Sequence, residues 1–131
     1  MILTRLDTNE SLSLPQDLHW KDEFEWHAVA QSTPEYTLSG SLIIQQGVKQ
    51  AGRPITLSGE WAWLDLKTIR TLSSWCDEPE LKLQLTHYDG RVFQVAFRLH
   101  EGGLAQISPV CYSTPEIDTD RYTAEIRLMT I

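Results

Sequence analysis

LKLQLTHYDGRVFQVAFR, the run from Leu81 to Arg98, carries the clearest fold signal in the chain. Leu81, Leu83 and Leu85 alternate with polar residues, and Phe93, Val95 and Phe97 repeat the pattern. A period of two puts one face of each segment toward a core, so both read as strands. Between them lies Asp89-Gly90, which suits a tight reversal because both turn positions favour positive φ. An antiparallel hairpin over 81–88 and 91–98 is the firm starting point.

Working outward, Tyr122, Ala124, Ile126 and Leu128 again share one face, so 121–131 reads as a long strand. Upstream, Leu66, Ile69, Leu72 and Cys76 recur at three and four residues, which predicts a helix over about 64–76. Asp65 stands at its N-cap position, and Pro79 stops the chain after Asp77-Glu78. Further strands are read at 2–6, at 24–30 (from Phe24, Trp26 and Ala28), at 36–46 with a bend at Gly40, and at 53–58 beginning at Pro54. Residues 7–15 look polar and turn-like. Residues 104–120, with Pro109 and Pro115, look like an exposed connection. The expected fold is mostly β (α+β): two packed antiparallel sheets or a small β-barrel with one flanking helix. It is one domain over 1–131, with a less regular N-terminal arm over about 1–35.

Composition narrows the function. Of 131 residues, 41% are hydrophobic and 22% charged, as in a globular chain. The net charge of −7 disfavours binding to nucleic acid or to an anionic membrane, both of which call for excess Lys and Arg. Acidic residues dominate 1–35 and 76–131, while 36–75 is mildly basic. That distribution permits head-to-tail attraction between copies, although a solvated acidic surface explains it too. No run approaches the roughly 18 apolar residues of a membrane span. Met1–Asp7 has no secretion-signal pattern, so a reducing cytoplasm and free Cys76 and Cys111 are expected.

No catalytic, cofactor-binding or metal-ligating residue is assigned. His19, His27, His87 and His100 lack zinc spacing, although His19 and His27 lie near Asp22, Glu23 and Glu25. Asp118-Thr-Asp120 has neither the glycine nor the distal glutamate of a calcium loop. No nucleophile elbow or phosphate loop is present, so no enzyme is expected. Glu60 with Trp61 and Trp63 has the chemistry of a sugar-binding groove, but two Trp just before a helix read first as packing and staple residues.

Ala51-Gly-Arg-Pro-Ile-Thr-Leu57, a following Trp61 or Trp63, a short helix, a hairpin and a terminal Tyr122-x-x-x-Ile126-x-Leu128 strand form one order. With the early Leu18-His-Trp-x-Asp-Glu-Phe-x-Trp26, it resembles small tail-associated proteins of tailed phages and prophages. The order is similar to the tail-tube-type fold of tube, distal-tail and baseplate-hub proteins. That resemblance implies a cofactor-free structural subunit, a homo-oligomeric ring joined to other tail proteins. Its expected place is the host cytoplasm during assembly and then the virion. It also implies sheets added edge to edge through 36–46, 81–88, 91–98 and 121–131, and an acidic lumen that lets DNA pass. The sequence shows no long apolar loop of the kind that joins stacked rings. The alternative is a monomeric β-barrel or sandwich that binds carbohydrate or peptide through Trp20, Trp26, Trp61 and Trp63.

Overall fold

The computed structural model describes residues 1–112, 114 and 116–131. Thirteen strands and one α-helix follow in order: β1 (Ile2–Arg5), β2 (Ser11–Ser13), β3 (His19–Trp20), β4 (Val29–Gln31), β5 (Glu35–Tyr36), β6 (Leu42–Ile43), β7 (Gln46–Val48), β8 (Pro54–Ser58), β9 (Leu64–Asp65), α1 (Leu66–Cys76), β10 (Leu83–Thr86), β11 (Val92–Phe97), β12 (Leu104–Pro109) and β13 (Arg121–Thr130). Every pairing is antiparallel. One nine-stranded sheet runs β2-β1-β10-β11-β13-β8-β3, with β12 and β9 also bonded to β13. β4 with β7, and β5 with β6, form two separate ribbons.

β13 organises the sheet because its ten residues are long enough to carry four partners. On one edge, Phe97 pairs with Leu128 and Leu104 with Ile126, so β11 and β12 lie end to end. On the other edge, Leu57 pairs with Ile126 and Leu64 with Tyr122, so β8 and β9 do the same. Each edge is broken by a short excursion, Arg98–Gly103 on one side and Gly59–Trp63 on the other. Even-numbered residues of β13 face the core with Leu3, Ile55, Leu57, Leu83, Leu85 and Val95, all buried. Leu66, Ile69, Leu72 and Trp75 bury the apolar stripe of α1 against them.

The sheet curls around this core without closing into a barrel. Its edges, β2 and β3, are joined by a short link that buries Leu14 and Leu18. The curl brings Trp20 of edge strand β3 to 5.5 Å from Phe93 of β11, edge to face. Residues 1–20, taken from sequence as part of an irregular arm, thus supply three strands and core side chains. Arg5 ties β1 to the end of the helix, bonding Glu78 at 2.8 Å and Asp7 at 2.7 Å while lying 5.8 Å from the Trp75 ring.

The β10–β11 hairpin pairs Leu83 with Val95 and Leu85 with Phe93. Its turn differs from the two-residue form expected. His87 and Arg91 bond across a three-residue loop, and within that loop only Gly90 has positive φ, at +93°. This is a type I turn closed by a left-handed glycine. Asp89 stabilises it by accepting from the Arg91 N–H at 3.1 Å and the Arg91 Nε at 2.7 Å. Asp65 does occupy the N-cap of α1, but its side chain makes no capping bond and instead pairs with Arg121. The first helical N–H groups are satisfied by backbone carbonyls: Leu66 donates to Asp120 at 2.9 Å and Lys67 to Asp118 at 3.2 Å.

Four sequence expectations need correction. Residues 24–30 do not form one strand. Asp22 accepts from the Thr56 N–H and hydroxyl at 3.0 and 2.8 Å, which holds 21–25 as turns and leaves only Val29–Gln31 extended. Residues 36–46 do not form one strand either, because the chain reverses at 37–41, where Thr37 donates to Ser41 and Gly40 to Thr37. Polar 7–15 contains β2, and 104–120 begins with β12. Pro115 of that stretch lies outside the described residues.

Gly103 closes the 98–103 excursion under tight contact. A Cβ there would sit 3.0 Å from Phe97 Cβ and 3.3 Å from Cys76 Sγ. Gly103→Ala is therefore expected to cost about 1–3 kcal/mol by overpacking, read as a lower urea midpoint with an unchanged slope.

Candidate functional site

The arm is the feature that the fold leaves unexplained. From Ala28 to Lys49 the chain runs out and back as a two-stranded ribbon. Lys49 donates to the Ala28 carbonyl at 2.7 Å, Val29 pairs with Val48, Ser32 donates to Gln45 at 2.8 Å, and Tyr36 pairs with Leu42. No residue from 27 to 52 is buried. Yet the ribbon carries Val29, Tyr36, Leu38, Leu42, Ile43, Ile44 and Val48, all exposed, and its only charged residues are Glu35 and Lys49. This is the long apolar projection that the sequence was read as lacking.

The arm is planted firmly. Gly52 donates to the Thr130 carbonyl at 2.9 Å, and Arg53 and Thr130 exchange further bonds of 2.9 Å. The Arg53 guanidinium stacks 4.5 Å from the Trp20 ring and 6.0 Å from the Trp26 ring, and Lys49 lies 5.3 Å from Trp26. Cation–π contact with Trp is favourable at such distances. Arg91 completes the plinth, 5.4 Å from Trp20 and bonded to Glu23 at 2.6 Å. That Glu23 bond, followed by the bond to Asp89, raises the already high Arg91 pKa. Burial pushes the Asp89 carboxyl up, but bonds from the Arg91 N–H, His87 and the Arg91 guanidinium more than offset it and hold it below its ordinary range.

A polar cleft forms on the far side of the sheet from the core. Odd-numbered residues of β13 point there. The cleft has a volume of about 370 Å³ and is lined by His19, Lys21, Glu60, Gln106, Thr123 and Glu125 among others. Glu125 is only 5% exposed. Lys21 Nζ stands 3.7 Å from its Oε1 and Arg127 Nη2 3.6 Å from its Oε2, both beyond hydrogen-bond length. Oε2 has no hydrogen-bond partner among the described residues. Gln106 reaches the cleft through a bulge in β12, where the register shifts between Ala105 and Ser108 and Gln106 takes φ +52°.

The residues singled out from sequence separate into these places. Trp20 is core, 3% exposed, with its Nε1 donating to the Pro54 carbonyl at 3.2 Å. Trp61 is 82% exposed, so it is not a packing or staple residue, whereas Trp63 is 41% exposed and partly covered. His87 is buried at the core end against Trp20 and 3.0 Å from Asp89, His19 lines the cleft, and His27 and His100 are exposed. Asp118 and Asp120 cap the helix, and Asp118 pairs with Arg70 at 3.4 Å. Among the described residues no three His, Cys, Asp or Glu side chains converge on a point that would hold a metal ion. Cys76 and Cys111 are free thiols, and burial pushes the Cys76 thiol up to about 11. No helix among the described residues is long and apolar enough to cross a membrane.

Sequence reasoning missed the arm and Glu125. Glu125 reads as an ordinary outward charge in the alternation of β13, and its burial depends on Lys21 and the bulged β12, which are distant in sequence. Comparison with protein-family models, with curated proteins and with solved structures finds no match to this chain.

Proposed function

We propose that the chain is a structural subunit of a tailed-phage or prophage tail or baseplate, joined to further copies and to other tail proteins through its arm and sheet edges. The observation that carries this reading is the ribbon over 28–49. An isolated two-stranded hairpin is at best marginal in water. This one exposes seven large apolar residues, each worth about 1.5–3 kcal/mol when fully buried. A specific interface buries roughly 800 Å² per partner, which the arm and a sheet edge together would supply in this reading.

Symmetry gives the geometry of assembly. An arm that seats on a different surface of the next copy makes a heterologous contact, which closes into a ring or continues as a filament. The outer edge of β2 adds an unpaired row of backbone groups. The net charge of −7 suits a lumen along which DNA passes without adhering. Assembly would begin in the host cytoplasm and end in the virion. Negative-stain electron microscopy of concentrated protein tests the reading. Rings or short stacked tubes are expected, and particles of single-subunit size at every concentration would overturn it.

A further inference from the structure

From the cleft beside β13 we infer a saccharide-binding site, independent of assembly through the arm. Three observations converge on it. The Gly59–Trp63 excursion places Trp61 in solvent, one residue from Glu60 in the cleft wall, while Trp63 Nε1 donates to the Glu60 carbonyl at 3.2 Å. An exposed indole offers an electron-rich face to a partner with weakly positive hydrogens. The C–H face of a pyranose is such a partner.

The second observation is Glu125. Its Oε2 is withdrawn from water and lacks any hydrogen bond among the described residues, while Lys21 stands 3.7 Å from Oε1 and Arg127 3.6 Å from Oε2. A buried acceptor left in this state is destabilising, because it has lost water without gaining a donor. A ligand hydroxyl that lets Lys21 and Arg127 close around the carboxylate would recover part of that cost. The third is the mixture of groups around the opening. Glu60 and Glu125 accept, Lys21 donates, and His19, Gln106 and Thr123 do either.

This chemistry selects among ligands. A metal ion is disfavoured by the two cations already flanking Glu125. A phosphate or nucleotide would face two carboxylates. A peptide strand needs a long free sheet edge, and in the gap between β8 and β9 only residues 123–125 of β13 lack a registered partner on that side. A neutral sugar needs neighbouring donors and acceptors, which the cleft supplies, and an aromatic face, for which Trp61, exposed and next in sequence to the wall residue Glu60, is assigned. The volume of about 370 Å³ lies at the lower end of the range for small-ligand sites, so one or two sugar rings are the expected occupant.

The test is titration of the full chain with methyl glycosides of glucose, galactose, mannose and N-acetylglucosamine, and with their disaccharides. Tryptophan fluorescence and calorimetry are the readouts. At least one sugar should bind saturably, with Kd near or below about 1 mM. Trp61→Ala and Glu125→Gln should each weaken it at least tenfold. Trp61 lies outside the core, so its variant stays folded by circular dichroism and decides the matter even if Glu125→Gln does not fold. The absence of saturable binding to any sugar in the panel, or binding unchanged in Trp61→Ala, would overturn the assignment.

Discussion

Trp20→Ala lowers the unfolding free energy by about 3–5 kcal/mol, the range for emptying a buried Trp site, whereas Trp61→Ala shifts it by less than about 0.5 kcal/mol, as for an exposed residue. The two residues look alike in sequence, each a Trp in a turn-rich stretch, Trp20 between His19 and Lys21 and Trp61 between Glu60 and Ala62. The fold separates them. Trp20 is 3% exposed and packs on Phe93 at 5.5 Å and His87 at 5.7 Å, with Arg53 stacked at 4.5 Å. Its removal opens a cavity and also strips the guanidinium of its aromatic face, leaving the already unpartnered Arg53 Nε more poorly placed. Because Arg53 anchors the arm, Trp20→Ala is also expected to loosen the arm's base. Urea unfolding followed by far-UV circular dichroism measures the stability difference. Equal midpoints for the two variants would show the core to be wrongly drawn at β3.

The second large effect is expected on the proposed assembly and leaves folding intact. Leu38→Asp with Ile43→Asp places two charges on exposed arm positions. Neither side chain touches the core, so the melting temperature should stay within a degree or two of the parent. Association, in contrast, loses two buried apolar side chains of about 1.5–3 kcal/mol each, which together weaken it by more than about a hundredfold. Sedimentation velocity at matched concentrations separates these effects. A variant that assembles like the parent would remove the arm from the interface, and one that unfolds would show the arm to be part of the core.

How much of this is legible in sequence depends on where each pattern finds its partner. The hairpin of β10 and β11, the strand β13 and the helix α1 are read correctly because their apolar repeats are answered within the chain. Leu85 meets Phe93, Leu128 meets Phe97, and Leu72 enters the same core. Tyr36, Leu38, Leu42 and Ile44 repeat just as regularly, yet no described residue buries them. Periodicity reports a surface meant for burial and is silent about what buries it, so one strand was expected where a solvent-exposed hairpin stands. β12 escaped notice for a different reason. Its Leu-Ala-Gln-Ile-Ser-Pro run is interrupted by a bulge and held mainly by backbone pairing to β13. β2, three residues long and polar but for Leu12, belongs to the sheet through its ladder with β1. The cleft was partly visible, since Glu60 and Trp61 stood out as sugar-like chemistry. Glu125, which completes it, is brought there by tertiary contacts that no local pattern records.

The central claim is that the apolar arm exists to join one copy to another. Light scattering after size exclusion, over a wide range of protein concentration, tests it most directly. The expected result is a defined multimer, or a mass that climbs with concentration toward one. A mass of 15.0 kDa, that of the single chain, at every concentration would contradict it.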